Sequence, residues 1–370
     1  MTHLTLPEGG HILRLHWQNG DTTDFPLIWL RDNDPDELHP QTQERIFDLL
    51  SVPHDITARH ASLAGDVVTV VWDAPEHTSH YPLAWLRAHR PGTPMADPAQ
   101  IEPTIWRADL GLDGIPRHDA GAILTSDTAL SNWMHTTQAF GLSIVHGLAD
   151  TAEAGMNIAR RIGHLRETNF GLTFEVFSKQ EPNNLAYTPV ALPLHTDLTN
   201  QELPPGFQFL HCLINDATGG GSIFADGYAM AEDLRTENPE AFEVLSTITV
   251  PFRFHDRTHD IRTRKRVINL TDTGAIDEIC YNAHLASIFD LAPDTMRQFY
   301  AAYRAFMAKM RDDRYRVTPR LQAGEMAVFD NRRVLHGRQS FDPTTGGRHL
   351  HGTYVDRGEF LSRIRRLALD

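Results

Sequence analysis

One triplet, His195-Thr196-Asp197, stands upstream of His336 in the run FDNRRVLHGRQSF and of Arg348 in GGRHLHGTYVD. Two imidazoles and one carboxylate are the ligand set that holds an Fe(II) ion from one face and leaves three positions open. An arginine a short way past the distal histidine can grip the far carboxylate of a keto acid in a bidentate fork. With 21 His and 48 Asp plus Glu in 370 residues, chance supplies on the order of two or three His-x-acid triplets, so one triplet is a weak signal. Yet His195-Thr196-Asp197 is the only one in the chain, and the signal is the order: HxD, then His, then Arg. The open metal face accommodates the 2-oxo-carboxylate of 2-oxoglutarate and leaves a position for O2, the arrangement of an oxygenase that couples oxidative decarboxylation to C–H hydroxylation. Arg348 would pair with the C5 carboxylate, with the Ser222 hydroxyl of GGGS as a neutral second donor. Taken singly, His195 reads as a satisfied core histidine and Arg348 as an ion-pair partner of Asp342 or Asp356. The ordered set tells against both.

Aromatic residues crowd the same part of the chain: Phe170, Phe174, Phe177, Tyr187, Phe207 and Tyr354. Any one of them is ordinarily core. Four of them around a ligand would form a cation–π cage suited to a quaternary ammonium, and Asn184 and Asn282 are candidate polar anchors for its other end.

These residues need a scaffold that brings distant segments together. His195 and Asp197 lie two apart, so on an extended segment both side chains share a face. His336 must come from a separate strand folded alongside. Phe207 to Leu213 and Ala327 to Phe329 read as short buried strands. Asp127 to Ala139, Ala152 to Leu165, Ala229 to Leu245 and Asp294 to Met310 carry helix-spaced apolar residues. Short strands, few long helices and ligands on separated strands predict a jelly-roll barrel with helices outside. The fold class is mostly β with flanking helices. Ahead of it, residues 1–92 read as a small β-rich domain. Ile12 to Trp17 and Thr23 to Trp29 form a hairpin about Asn19-Gly20, the pair that favours a type I′ turn, and Val67 to Trp72 is a further strand. Trp29-Leu30-Arg31 and Trp85-Leu86-Arg87 are a small internal echo. The Pro-rich stretch RPGTPMADPAQIEP marks a linker, set at 93–118, leaving 119–370 as the oxygenase domain.

Composition bounds the function. At 41% hydrophobic and 22% charged the chain is an ordinary globular one, and its net charge of -14 tells against nucleic acid and anionic membranes as partners. An anionic co-substrate then needs a local basic pocket set against the global field. Two cysteines, Cys212 and Cys280, fit buried free thiols better than a disulfide. Neither a signal peptide nor an apolar run of ~20 residues is present, which predicts a cytoplasmic protein.

The motifs together resemble the γ-butyrobetaine dioxygenase family of Fe(II)/2-oxoglutarate oxygenases. The likeness runs through WLRDN (29–33), LRETNFG (165–171), NNLAYT (183–188), LPLHTDL (192–198), FLHC (209–212), DATGGGS (216–222), FDNRRVLHGR (329–338) and RHLHGTYVDRGEFLSRIR (348–365). It implies His195, Asp197 and His336 as catalytic iron ligands and Arg348 as the 2-oxoglutarate arginine. It further implies Phe170, Phe174, Tyr187 and Tyr354 as a trimethylammonium cage, with Asn184 and Asn282 on the substrate anion. The implied fold is a double-stranded β-helix with a small N-terminal domain, commonly a homodimer, using Fe(II), 2-oxoglutarate and O2, with ascorbate sustaining activity. Family members typically carry a structural zinc site built from three cysteines after WLRDN and a later histidine. Here Asp34, Asp36, His39 and His77 stand at those positions, a set that would bind zinc far less tightly than thiolates.

His284 follows Asn282 where the family often has a small neutral residue, and could add a donor or a charge at the anion end. On that ground 2-(trimethylamino)ethylphosphonate, giving its 1-hydroxy product, is the expected substrate, ahead of γ-butyrobetaine giving L-carnitine. Trimethyllysine is a third substrate of the same chemistry, and a non-catalytic quaternary-amine binder is the alternative of another class. Four intact residues for iron and 2-oxoglutarate argue against the binder.

Overall fold

The computed structural model describes residues 1–7, 10–73, 75–177 and 188–369. Two compact units result, Met1–Asp97 and Pro98–Asp370.

In the first unit, β1 (His3–Thr5), β2 (Ile12–His16) and β3 (Thr22–Pro26) form one antiparallel sheet, and β4 (Ala58–Ala64), β5 (Val67–Trp72) and β6 (His77–Pro82) another. Alternate residues of these strands (Leu13, Leu15, Phe25, Val68, Val70, Trp72, Tyr81) share one buried core. The β2–β3 turn is wider than the Asn-Gly pair predicts: Trp17 N donates to Asp21 O at 2.8 Å, and only Gly20 of the turn has positive φ (+92°). A type I′ turn requires two such residues. The internal echo is structural: β3 and β6 each end on a proline, then pass into a short helix (Leu27–Asp32 and Leu83–Ala88), and Trp29 and Trp85 meet at 5.6 Å between centroids. Leu27 to Trp29 is thus helix, not strand.

At the loop after WLRDN, Asp34 is buried, accepting from Ser79 Oγ and lying 2.7 Å from His77 Nε2. Asp36 turns instead to His80 (2.9 Å to Nδ1), and His39 Nδ1 accepts from Thr42 N at 3.2 Å. Asp34 and His77 therefore pair with each other while Asp36 and His39 turn to other partners, and the four do not converge on one tetrahedral zinc position.

The second unit is a jelly roll, as expected. Its strands are β7 (Arg117–Asp119), β8 (Leu142–His146), β9 (Thr173–Phe177), β10 (Leu192–His195), β11 (Phe207–Asn215), β12 (Thr218–Gly219), β13 (Ser222–Asp226), β14 (Val250–His255), β15 (Asp260–Lys265), β16 (Ile268–Leu270), β17 (Ile276–Ile279), β18 (Arg316–Val317), β19 (Met326–Asp330), β20 (Val334–Arg338), β21 (Phe341–Asp342) and β22 (Arg348–Val355). The order β7-β8-β19-β11-β22-β9 makes the major sheet and β10-β20-β13-β18 the minor one. Period-2 alternation sorts the strands' side chains. Leu210, Cys212, Phe224, Ala327, Phe329 and Leu350 fill the space between the sheets. Phe207, Phe209, Met326, Val328 and Val355 face outward and meet the helices Asp127–Phe140 and Arg357–Leu367. Residues 98–118, all within the stretch read as linker, carry Trp106 and Ile115 into this unit's buried core. The helix expected over 229–245 is two, Gly227–Glu237 and Pro239–Thr247. Pro239 cannot continue the first helix but starts the second, where the Asn238 side chain accepts from Ala241 N. Cys212 and Cys280 are buried free thiols, and among the described residues no helix is long and apolar enough to cross a membrane.

Outward alternation also creates one costly feature. Glu175, His351 and His211 lie directly opposite one another across β9, β22 and β11. His211 is 1% exposed, and neither ring nitrogen has a partner among the described residues. Burial first, then His351, lowers its pKa from 6.5 to about 4, with Asp150 opposing. The unfolded chain therefore takes a proton near pH 6.5 that the fold refuses until about pH 4. Stability should be full above pH 6.5 and fall as pH drops through that window, by up to roughly 3 kcal/mol. Urea unfolding of wild type and His211→Leu from pH 7 to 4.5 checks this; identical pH slopes would exclude His211 as the source.

Candidate active site

His195 ends β10 and His336 lies on β20, and the two residues are direct cross-strand partners. Their ring centroids stand 4.3 Å apart. On the other side of β20, His336 is paired with Phe224 of β13, so its ring is fixed between two strands and faces the inter-sheet space. Asp197 sits in the turn beyond β10. Asn331 clamps that turn: its Oδ1 accepts from Asp197 N at 2.7 Å, while its Nδ2 donates to Asp197 O and Pro205 O. Leu198, next in the turn, has φ +56°, a left-handed conformation that bends the chain away and leaves the Asp197 carboxylate facing the imidazoles. Its Oδ1 is 3.2 Å from His195 Nε2 and 3.7 Å from His336 Nε2.

Among the described residues this trio is the group of His, Cys, Asp and Glu atoms close enough to hold a metal, all within 4.8 Å of one another. Three donors at ~2.1 Å from one ion at right angles lie about 3 Å apart, so the spacing fits. The protonation states fit as well. Burial, then His195, pushes His336 down to about 3, which leaves the ring neutral with a lone pair to donate. Burial alone would raise Asp197, but the two imidazoles and the Tyr354 hydroxyl, donating to Oδ2 at 2.7 Å, hold it below the usual carboxylate range. His195 Nδ1 lies 2.8 Å from Pro193 O, the contact that assigns its proton to Nδ1 and turns Nε2 to the metal position.

A cavity of about 310 Å³ opens on this trio. Arg348 and Ser222 line one end with Arg338. Burial lowers both arginines to about 10, so both stay charged at neutral pH. The two guanidiniums lie over the Phe341 ring at 5.1 and 5.7 Å. Arg348 Nε donates to Gly220 O. Gly220 has φ +70°, and a Cβ there would come within 2.9 Å of the Arg348 side chain, so the second glycine of GGGS seats the arginine. This end of the cavity can take a dicarboxylate.

The aromatic end is built by β9, β22 and two loops. Phe174 stacks on Tyr354 at 5.0 Å, and it fits because Gly352 lies directly opposite it; a Cβ there would strike the ring at 2.2 Å. Phe170 packs edge-on to Phe254 at 5.3 Å. Arg166 ties the Phe170 loop to the barrel: its backbone N donates to Tyr354 O, and its guanidinium holds Asp356 and Leu203 O. Asn282, 5% exposed, lines the cavity. Its Oδ1 accepts from the backbone N–H of His284 and Leu285 and one Nδ2 hydrogen goes to Thr196 O, leaving one for a ligand.

The structure thus gathers His195, Asp197, His336, Arg348, Ser222, Phe170, Phe174, Asn282 and Tyr354 about one cavity. Asn184 and Tyr187 lie outside the described residues. Phe177 and Phe207 are excluded by alternation: Phe177 packs on His349 and Phe207 stacks on Phe360, both on the outer face of the major sheet. Sequence reasoning missed Phe254, Arg338, Phe341, Gly220 and Asn331. Four of these sit inside or beside the quoted motifs, which was the available signal. Phe254 had none.

Residues 106–354 match the family model "Taurine catabolism dioxygenase TauD, TfdA family", and residues 4–87 match "Gamma-butyrobetaine hydroxylase-like, N-terminal". The chain is 43% identical to the γ-butyrobetaine dioxygenase of Pseudomonas sp. (strain AK-1) over 94% of this chain and 91% of that one. It is 30% identical to the human γ-butyrobetaine dioxygenase, over 97% and 95%. Its fold is similar to the crystal structure of a putative α-ketoglutarate-dependent taurine dioxygenase from Burkholderia xenovorans, with a TM-score of 0.53 and 16% identity over 69% of this chain and 92% of that one. A trio that fits Fe(II), a basic end that fits a dicarboxylate and whole-chain likeness converge: this chain belongs to the γ-butyrobetaine dioxygenase family and is an Fe(II)/2-oxoglutarate-dependent dioxygenase.

Proposed function

We propose that this enzyme hydroxylates γ-butyrobetaine to carnitine. The observation that carries the reading is the 43% identity to a γ-butyrobetaine dioxygenase across nearly the whole chain. His195, Asp197 and His336 hold the iron. Bound Fe(II) supplies the activation of O2, and the overall balance is substrate C–H plus O2 plus 2-oxoglutarate giving C–OH, succinate and CO2.

Everything else falls to the chain. Arg348 forks the C5 carboxylate of 2-oxoglutarate and Ser222 donates to it, in a pocket whose burial strengthens both contacts. Phe170, Phe174 and Tyr354 surround the trimethylammonium, with Tyr187 of the resemblance added to them. Tyr354 serves twice, since its hydroxyl also orients Asp197. The remaining Asn282 hydrogen, with Asn184, takes the substrate carboxylate. Holding the substrate at both ends presents one carbon to the reaction centre. The reading includes a cytoplasmic homodimer sustained by ascorbate, as the resemblance implies.

Between the two zwitterions, the relatives favour the carboxylate over the phosphonate placed first in the sequence reading. His284 lines the cavity, but burial, then His195, lowers its pKa, so it stays neutral at pH 7. It therefore adds no cation that would prefer a phosphonate dianion. The test is Fe(II)-dependent O2 uptake with 2-oxoglutarate and each zwitterion in turn. Faster uptake with γ-butyrobetaine, with a product heavier by one oxygen, is expected. Faster uptake with 2-(trimethylamino)ethylphosphonate would overturn the assignment.

A further inference from the structure

The hairpin β14–β15 carries none of the motifs, yet it contributes Phe254 to the wall of the active-site cavity. Its placement is rigid. Two residues earlier, Phe252 is 1% exposed in the core beneath the helices Gly227–Glu237 and Pro293–Arg311. The free edge of β14 is sewn to the segment that follows Asn282: Arg253 N donates to Leu285 O at 2.8 Å, and Ser287 N donates to Pro251 O at 2.9 Å. Asn282 in turn caps the start of that segment through the N–H groups of His284 and Leu285. The strand that carries Phe254 is thus joined by backbone hydrogen bonds to the segment capped by Asn282, the residue proposed to hold the substrate anion, while the Phe254 ring meets Phe170, a residue of the proposed cation cage, at 5.3 Å and 68°. The adjacent Arg253 leaves the opposite face of β14 from Phe254, where it shares Asp260 with Arg262, so its charge is directed away from the Phe254 ring.

We propose that Phe254 is a specificity-determining residue: its ring completes the aromatic wall of the ammonium subsite and, through the β14 edge, sets the distance between cation and anion that the cavity accepts. This rests on the trimethylammonium reading above. An edge-on aromatic pair offers a cation one ring face and one polarised edge, so removal of Phe254 weakens cation binding and opens the cavity toward the hairpin. A substrate longer by one methylene then fits where it was excluded.

Two measurements on the anaerobic Fe(II)- and 2-oxoglutarate-loaded enzyme test it. Tetramethylammonium, which has no anionic end, should bind wild type and Phe254→Trp with similar affinity and Phe254→Ala about tenfold more weakly by calorimetry. In turnover, Phe254→Ala should raise KM for γ-butyrobetaine about tenfold and leave KM for 2-oxoglutarate unchanged. It should also shift kcat/KM toward the homologue with one more methylene. Equal tetramethylammonium affinity in wild type and Phe254→Ala would overturn the proposal, as would no binding to wild type. A parallel rise in KM for 2-oxoglutarate would do the same, since it would mark a general loss of packing. If wild type binds tetramethylammonium with the expected dependence on Phe254 but is not stimulated by γ-butyrobetaine, the substrate assignment fails and the role of Phe254 stands.

Discussion

Replacing Asp197 with alanine should reduce kcat below about one thousandth of wild type, a barrier rise of about 4 kcal/mol. Two effects combine. The carboxylate is the only anionic donor of the trio, and without it two neutral imidazoles must hold a dication. Its loss also leaves the Tyr354 hydroxyl without its 2.7 Å acceptor and frees a ring that stacks on Phe174. Anaerobic Fe(II) titration separates binding from folding: the variant should lose the 2-oxoglutarate-dependent charge-transfer band while melting near the wild-type temperature. A variant that turns over would remove Asp197 from the ligand set.

The second large effect lies outside the cavity. Arg333 and Asp226 are both almost fully buried, 2% and 0% by side chain, and form a bidentate pair at 3.1 and 2.8 Å. Every surrounding contact is satisfied: Arg333 also donates to Ala139 O and Thr104 O, and Asp226 accepts from Trp106 N and Tyr228 N. Asp226→Ala strands the guanidinium in the core and should cost about 3–5 kcal/mol. Asp226 lies opposite Val334 in the β13–β20 ladder, two residues along from the Phe224–His336 pair, so the loss also loosens the strand that aims the distal histidine. Urea denaturation measures the cost. The double replacement Asp226→Leu with Arg333→Met should recover part of it, because a buried pair exchanged for packed apolar groups leaves no orphan charge. A loss below about 1 kcal/mol in Asp226→Ala would show that water reaches the site.

What could be read from the chain alone was chemistry stated by residue type and order. HxD, His and Arg name a ligand set and an acid-binding cation before any fold is known, because the ordered set, unlike its members taken singly, has few other uses. Period-2 and helix-spaced apolar runs likewise predicted the inner strands, the helix at 127–140 and the helix at 293–311. Local competition misled the same reasoning where a single residue decided the outcome, as at Pro239 between two helices and at the turn before Asp21.

Only tertiary structure decided which side chains share the cavity. Alternation sends Phe174 inward and Phe177 outward on one five-residue strand, and register alone sets His195 opposite His336 across 141 residues of chain. Phe254 reaches the cavity because β14 pairs with a segment more than thirty residues downstream, a contact with no local signature. The donors and rings are properties of residues and can be counted in sequence. Their convergence is a property of strand register and side-chain facing, which arises only when long-range pairing and core packing are satisfied together.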